Sequence, residues 1–214
     1  MADFKIKSAS GTGNKLLIKG QNQDVTDSSY AIQIGDSGAS TLHNATITAG
    51  VFPTGMVIQC LQKTDTDNGT SDVSSYSNTL FDNLNFSITP KYSTSKILVT
   101  VNVSMSHQNN DTGHIRLVRD PTGTPVPLAV GPADGSSTSA TFSIRTSGVH
   151  SIIHQTINYL DSPGVDTAVT YGLQGFTSGV QAGEFGYNQP ESTSTTDTNH
   201  GRHMSIITLM EIAQ

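Results

Sequence analysis

Gly11-Thr12-Gly13-Asn14-Lys15 is the closest approach in this chain to a phosphate-binding loop. That chemistry needs Gly, four residues, Gly-Lys and then Ser or Thr, so that successive backbone N–H groups and the lysine converge on the phosphates. Asn14 and Leu16 break the order. Asp65-Thr66-Asp67-Asn68-Gly69 opens like a calcium loop, but its glycine sits one place early, and Tyr76 stands where a bidentate glutamate is required. An Asn-Gly turn accounts for it more simply. The histidines are partly clustered. His150 and His154 are four residues apart, about 13 Å along a strand, which is too far for one metal to take both. His200-Gly201-Arg202-His203 falls in a loop before the last strand, in a solvated or stacking role. No Gly-x-Ser-x-Gly nucleophile turn occurs. An enzyme survives only as a polysaccharide depolymerase, for which two carboxylates on a β fold would suffice. The expectation is therefore no catalytic, cofactor or metal site.

The charge pattern narrows the partners. Eleven basic residues against 17 acidic ones give a net charge of −6, with no Lys/Arg cluster. Such a chain has no positive field to hold a phosphate backbone, so nucleic acid is disfavoured. No apolar run is long enough to span a bilayer, and Met1-Ala2-Asp3-Phe4-Lys5 lacks the build of a signal peptide, so synthesis in a cytoplasm without membrane insertion is expected. Cys60 has no second cysteine to pair with, and within Met56-Val57-Ile58-Gln59-Cys60-Leu61 it is expected to be a buried, unreactive side chain of a strand.

The elements that would position any of these groups are strands. Charged residues are only 13% of the chain, and Thr, Ser, Val and Ile alternate where helix formers are scarce. Ile97, Val99, Val101, Val103 and Met105 alternate with polar or outward residues, predicting a strand over 95–105 with one face inward. Further strands are predicted over 56–63, 84–88, 114–119, 139–145, 149–159, 168–176 and 204–213. The last has apolar residues on both faces, which places it at the centre of a sheet or against a neighbour. About eight strands separated by Gly, Pro, Asn and Asp turns predict an all-β fold, a jelly-roll-like β-sandwich head over residues 53–214.

Residues 1–52 have another rhythm. Leu17-Ile18-Lys19-Gly20, Ile32-Gln33-Ile34-Gly35 and Ile47-Thr48-Ala49-Gly50 recur at a step of 15 residues. Each unit supplies a short strand and a turn but too few apolar residues to bury a face alone. Leu17, Ile18, Ile32, Ile34 and Ile47 would then be covered by copies of the same arm or by another surface. An irregular arm whose glycines coincide by chance is the plainer alternative. The spacing resembles the triple β-spiral of viral fibre shafts.

The head carries a resemblance of its own. Asn85-Phe86-Ser87-Ile88-Thr89-Pro90, Ser95-Lys96-Ile97-Leu98-Val99, His114-Ile115-Arg116-Leu117-Val118-Arg119, Tyr159-Leu160-Asp161-Ser162-Pro163 and Ser205-Ile206-Ile207-Thr208-Leu209-Met210-Glu211-Ile212 resemble, in order and spacing, the β-sandwich domain of structural proteins from tailed phages of marine bacteria, cyanophages included. That resemblance implies a virion-surface protein and a homotrimer with a jelly-roll head. It leaves open a capsid decoration, a head fibre or a tail fibre, and hence the major capsid protein or a tail component as partner. The chain lacks the coiled coil, collagen-like repeat or long shaft of a long tail fibre. Fibre tips of this kind can bind an axial metal through His-x-His; this chain has none, and only His200 and His203 could meet symmetry mates at an axis. Exposed hydroxyl- and amide-rich loops over 64–77, 178–184 and 192–199 are expected, with Asn188, Thr193, Thr195 and Asn199 as candidates for contact with a host-surface glycan.

Overall fold

The computed structural model describes residues 52–72, 75–77, 79–107, 112–146, 151–178, 184–190, 198 and 200–214. Leu17, Ile18, Ile32, Ile34, Ile47, His150, Thr193, Thr195 and Asn199 lie outside the described residues. Residues Val51–Gln214 form a compact unit.

Its strands are β1 (Val57–Asp65), β2 (Gly69–Asp72), β3 (Phe86–Ile88), β4 (Lys96–His107), β5 (Thr112–Arg119), β6 (Val126–Leu128), β7 (Phe142–Ile144), β8 (Ile153–Asp161), β9 (Val169–Ser178), β10 (Glu184–Tyr187) and β11 (Ser205–Ile212). A short 3-10 helix spans Thr79–Leu84. All pairings between these strands are antiparallel, in two sheets.

Three pairs of short strands lie end to end on a common neighbour, so each pair fills one lane. β11 and β10 both pair with β4, and β1 and β2 pair with β11 and β10 in turn. β6 and β7 both pair with β5. Counted by lane along the chain, one sheet runs first, eighth, third, sixth (β1/β2, β10/β11, β4, β8). The other runs second, seventh, fourth, fifth (β3, β9, β5, β6/β7). First pairs with eighth, second with seventh, third with sixth and fourth with fifth, which is a hairpin ribbon rolled on itself. The fold is a jelly roll of two packed antiparallel sheets.

The core forms where the inward faces meet. Ile97, Val99, Val101, Val103 and Met105 of β4 are all within 1% of full burial, opposite Ile115 and Leu117 of β5 and Tyr171 and Leu173 of β9. Each such side chain contributes about 1.5–3 kcal/mol through burial. β11 lies between β1 and β4, with Ile207 and Leu209 in the core and Met210 on the outer face. Phe81 and Leu84 of the 3-10 helix close the core, with Phe81 edge-on to Tyr187. The sheets are also tied by Arg119 Nη1 on β5, which donates to Asp161 Oδ2 on β8 at 2.9 Å, while the buried Tyr171 hydroxyl donates to the same oxygen. Glu211, fully buried within β11, accepts from Gln59 Nε2 and from the backbone N–H groups of Lys91 and Tyr92, pinning the loop before β4.

Three expectations need correction. β2, β6 and β10 were not apparent in the sequence; β2 falls inside the stretch expected to be loop, and the 178–184 stretch includes the end of β9 and the start of β10. Asn68-Gly69 is not a hairpin turn, because β1 and β2 continue in one lane and the chain does not reverse there. Cys60 is exposed, not buried: it pairs with Met210 on the outer face, while its neighbour Leu61 takes the core side.

Candidate functional site

The two lanes that pair first with eighth are interrupted at the same level. β1 ends at Asp65 and β2 begins at Gly69, and β10 ends at Tyr187 and β11 begins at Ser205. Asn188 holds both breaks together. It is fully buried, with φ 54, a left-handed conformation that Asn tolerates better than most residues. Its backbone N–H donates to Ser104 O at 3.0 Å and its carbonyl accepts from His203 N–H at 2.9 Å, closing the neck of the 189–202 excursion. Its Nδ2 donates to Asp65 O at 3.2 Å and to Asp67 O at 2.8 Å, and its Oδ1 accepts from Ser205 Oγ at 2.7 Å. Asn188 is therefore a structural clamp and not an exposed ligand contact, since every polar group it has is consumed inside the fold.

Asp65 is the second fixed point. The Tyr187 hydroxyl donates to its Oδ2 at 2.7 Å, and Asp67 N–H donates to its Oδ1 at 2.9 Å. Burial, then the hydrogen bond to Asp65 and its charge, push the Tyr187 hydroxyl far above the ordinary tyrosine range, so it remains a donor. Asp67 Oδ2 accepts from Asn83 Nδ2 at 2.6 Å. The carboxylates that gave this segment its calcium-like appearance are thus engaged by donors of the chain itself.

A polar relay runs from the clamp to the surface. Ser205 Oγ accepts from Ser104 N–H at 3.2 Å, and Ser104 Oγ donates to Met204 O at 3.3 Å. Ser104 Oγ also lies 2.9 Å from His154 Nδ1. When the serine proton is given to Met204 O, His154 Nδ1 donates in that contact and Nε2 carries the lone pair. His154 Nε2 is 2.9 Å from His203 Nδ1, so His203 donates there when both rings are neutral. Burial, and then the adjacent His154, lower the His203 pKa. The pair opens on a cleft of about 570 Å³ lined by Asn102, His154, Arg202, His203, Met204 and Ile206. Arg202 Nη1 reaches Asn68 Oδ1 at 3.5 Å.

The His154–His203 contact was not apparent in the sequence. The spacing along the strand that separates His150 from His154 says nothing about a loop residue 49 positions later that returns over the same sheet. Among the described residues no three side chains of His, Cys, Asp or Glu converge as metal ligands. Ser104 is fully buried, so its proximity to His154 does not make it a nucleophile.

No protein-family model matches the chain. No curated protein matches it in sequence. Among solved structures, a chain from the structure of infectious bursal disease virus, Gx strain, is similar with a TM-score of 0.37 and 14% identity, over 83% of this chain. The match spans 42% of the viral chain, less than half its length. A likeness of that extent assigns no role.

Proposed function

We propose that this chain is a non-enzymatic structural protein of a bacteriophage virion: a short surface homotrimer attached through residues 1–52, acting as a capsid decoration or head fibre. The observation that carries the reading is the outer face of the β1/β2–β10/β11–β4–β8 sheet. Cys60, Met210, Leu98 and Leu160 pair directly across all four lanes, forming one apolar row. Cys60 is exposed, as is Leu160 at 46%. Met56 and Val57 at the start of β1 are each 47% exposed. The outer face of the other sheet is dressed by the chain itself, with Arg116 over the Tyr76 ring at 3.8 Å and Phe176 between Tyr76 and His114. An apolar row across the outer face of one sheet, exposed at Cys60 and Leu160 and half-buried at Met210 and Leu98, is what an assembly protein needs and an isolated enzyme does not. The resemblance of the head to phage structural proteins points the same way.

In this reading the arm reaches the major capsid protein, and several weak attachments act together to stabilise a shell. Immunogold labelling of intact particles is the test. Label spread over the shell is expected; label confined to the tail would replace decoration with a receptor-binding tip. That second reading is favoured by the cleft beside His154, whose amide, imidazole and guanidinium donors next to Met204 and Ile206 suit a sugar ring of a host-surface glycan. Under it, loss of the cleft side chains should reduce adsorption to cells.

A further inference from the structure

We propose that His154 Nε2 and His203 Nδ1 form an intramolecular site for one divalent transition-metal ion of the zinc, nickel or copper class. The spacing is the first argument. Two nitrogens each ~2.0–2.1 Å from one ion lie about 2.9 Å apart at a right angle and about 3.4 Å apart at a tetrahedral angle. The observed separation is 2.9 Å. An ion with right-angle positions therefore fits the present separation, a tetrahedral one needs the nitrogens to part by about 0.5 Å, and in either case both rings turn so that their lone pairs converge on it.

The surroundings are the second argument. A metal-bound imidazole normally donates its other N–H to a fixed acceptor, which sets tautomer and orientation. His154 has such a partner in Ser104 Oγ, 2.9 Å from Nδ1, and Ser104 is tied by Ser205 to the buried Asn188. His203 is fixed from behind by its backbone N–H on Asn188 O. On binding, the His203 proton moves from Nδ1 to Nε2, so at neutral pH none need be released.

The donor set fixes the class of ion. Among the described residues the cleft is lined by imidazole, amide and guanidinium groups, and imidazole suits zinc, copper and nickel better than calcium or magnesium. With two protein ligands, the other positions fall to water, for which a cleft of about 570 Å³ leaves room. The expected affinity is micromolar, far below that of a four-ligand structural zinc site. Arg202 is the nearby opposing charge, and its guanidinium is turned toward Asn68.

The test is calorimetric titration of the full-length chain with nickel chloride and with zinc sulfate. About one equivalent should bind saturably, and His154→Gln and His203→Gln should each weaken binding at least tenfold, while His114→Gln on the other sheet leaves it unchanged. Imidazole nitrogen NMR of the unmodified protein gives a second readout that no folding defect can confound: added zinc should shift the ring resonances of His154 and His203 together. Undiminished binding by the doubly substituted chain, or no saturable binding below millimolar metal with unmoved resonances, would overturn the site and leave the pair as an N–H···N hydrogen bond.

Discussion

At the scale of single residues, the molecule depends on polar side chains whose hydrogen bonds are internal. Replacing Asn188 by Ala would strip Nδ2 from two carbonyls and Oδ1 from Ser205, at a left-handed position that Ala occupies poorly. A loss of about 3 kcal/mol is expected, read as a lowered midpoint in denaturant unfolding. Histidine sets a pH dependence. Burial lowers the pKa of His114, which stacks on Phe176 and meets Ser143 Oγ at 2.8 Å; His203 is lowered too. A folded-state pKa below the unfolded value of about 6.5 means that the unfolded chain binds more protons below that pH. The contribution to stability is thus complete above about pH 6.5 and is lost as the pH falls toward the folded-state values. Melting temperatures between pH 8 and 5 should fall accordingly, and His114→Gln should make the decline shallower.

At the scale of elements, the long strands announce themselves and the short ones do not. β4 shows alternation because one face meets the core, and β11 is apolar on both sides because Ile207 and Leu209 meet the core while Met210 joins the outer apolar row. Gly-Thr-Ser-Asp of β2 has no such pattern; register on β10 makes it a strand, with Tyr187 opposite Gly69. Gly113 shows how closely the lanes approach. A Cβ there would run into the Phe185 ring and into His107 Cδ2 at 2.7 Å. Phe185 is itself fully buried and edge-on to His107, so it has little room to yield. Gly113→Ala should cost roughly 1–3 kcal/mol, measured by equilibrium unfolding, through overpacking and not through any change of backbone preference.

At the scale of the whole molecule, the two sheets differ in what covers their outer faces. Tyr76, Arg116 and Phe176 cover one, and the Cys60–Met210–Leu98–Leu160 row marks the other. If that row packs against another copy or a shell protein, substituting Leu98 and Leu160 by Asp should shift sedimentation toward monomer. The melting temperature of the monomer should fall modestly, because Leu160 is already 46% exposed whereas Leu98 is half-buried on the central strand β4. An unchanged association state in the double variant would remove the sheet face from the assembly.

The all-β class and the positions of eight strands were legible in the sequence, and for β11 it left a place at the centre of a sheet or against a neighbour, of which the structure shows the first. Those properties follow from local alternation and from which residues disfavour helix, and they need no knowledge of partners. That Cys60 faces outward, that Asn188 is a buried clamp and that His154 meets His203 came from the folded chain alone. Each outcome depends on register between distant strands, where a shift of one residue exchanges the two faces of a sheet. The His pair lies further from what sequence spacing can reach. It exists because the eighth lane breaks after Asn188, and the excursion returns its last residues over β4 and β8 before β11 resumes the same line.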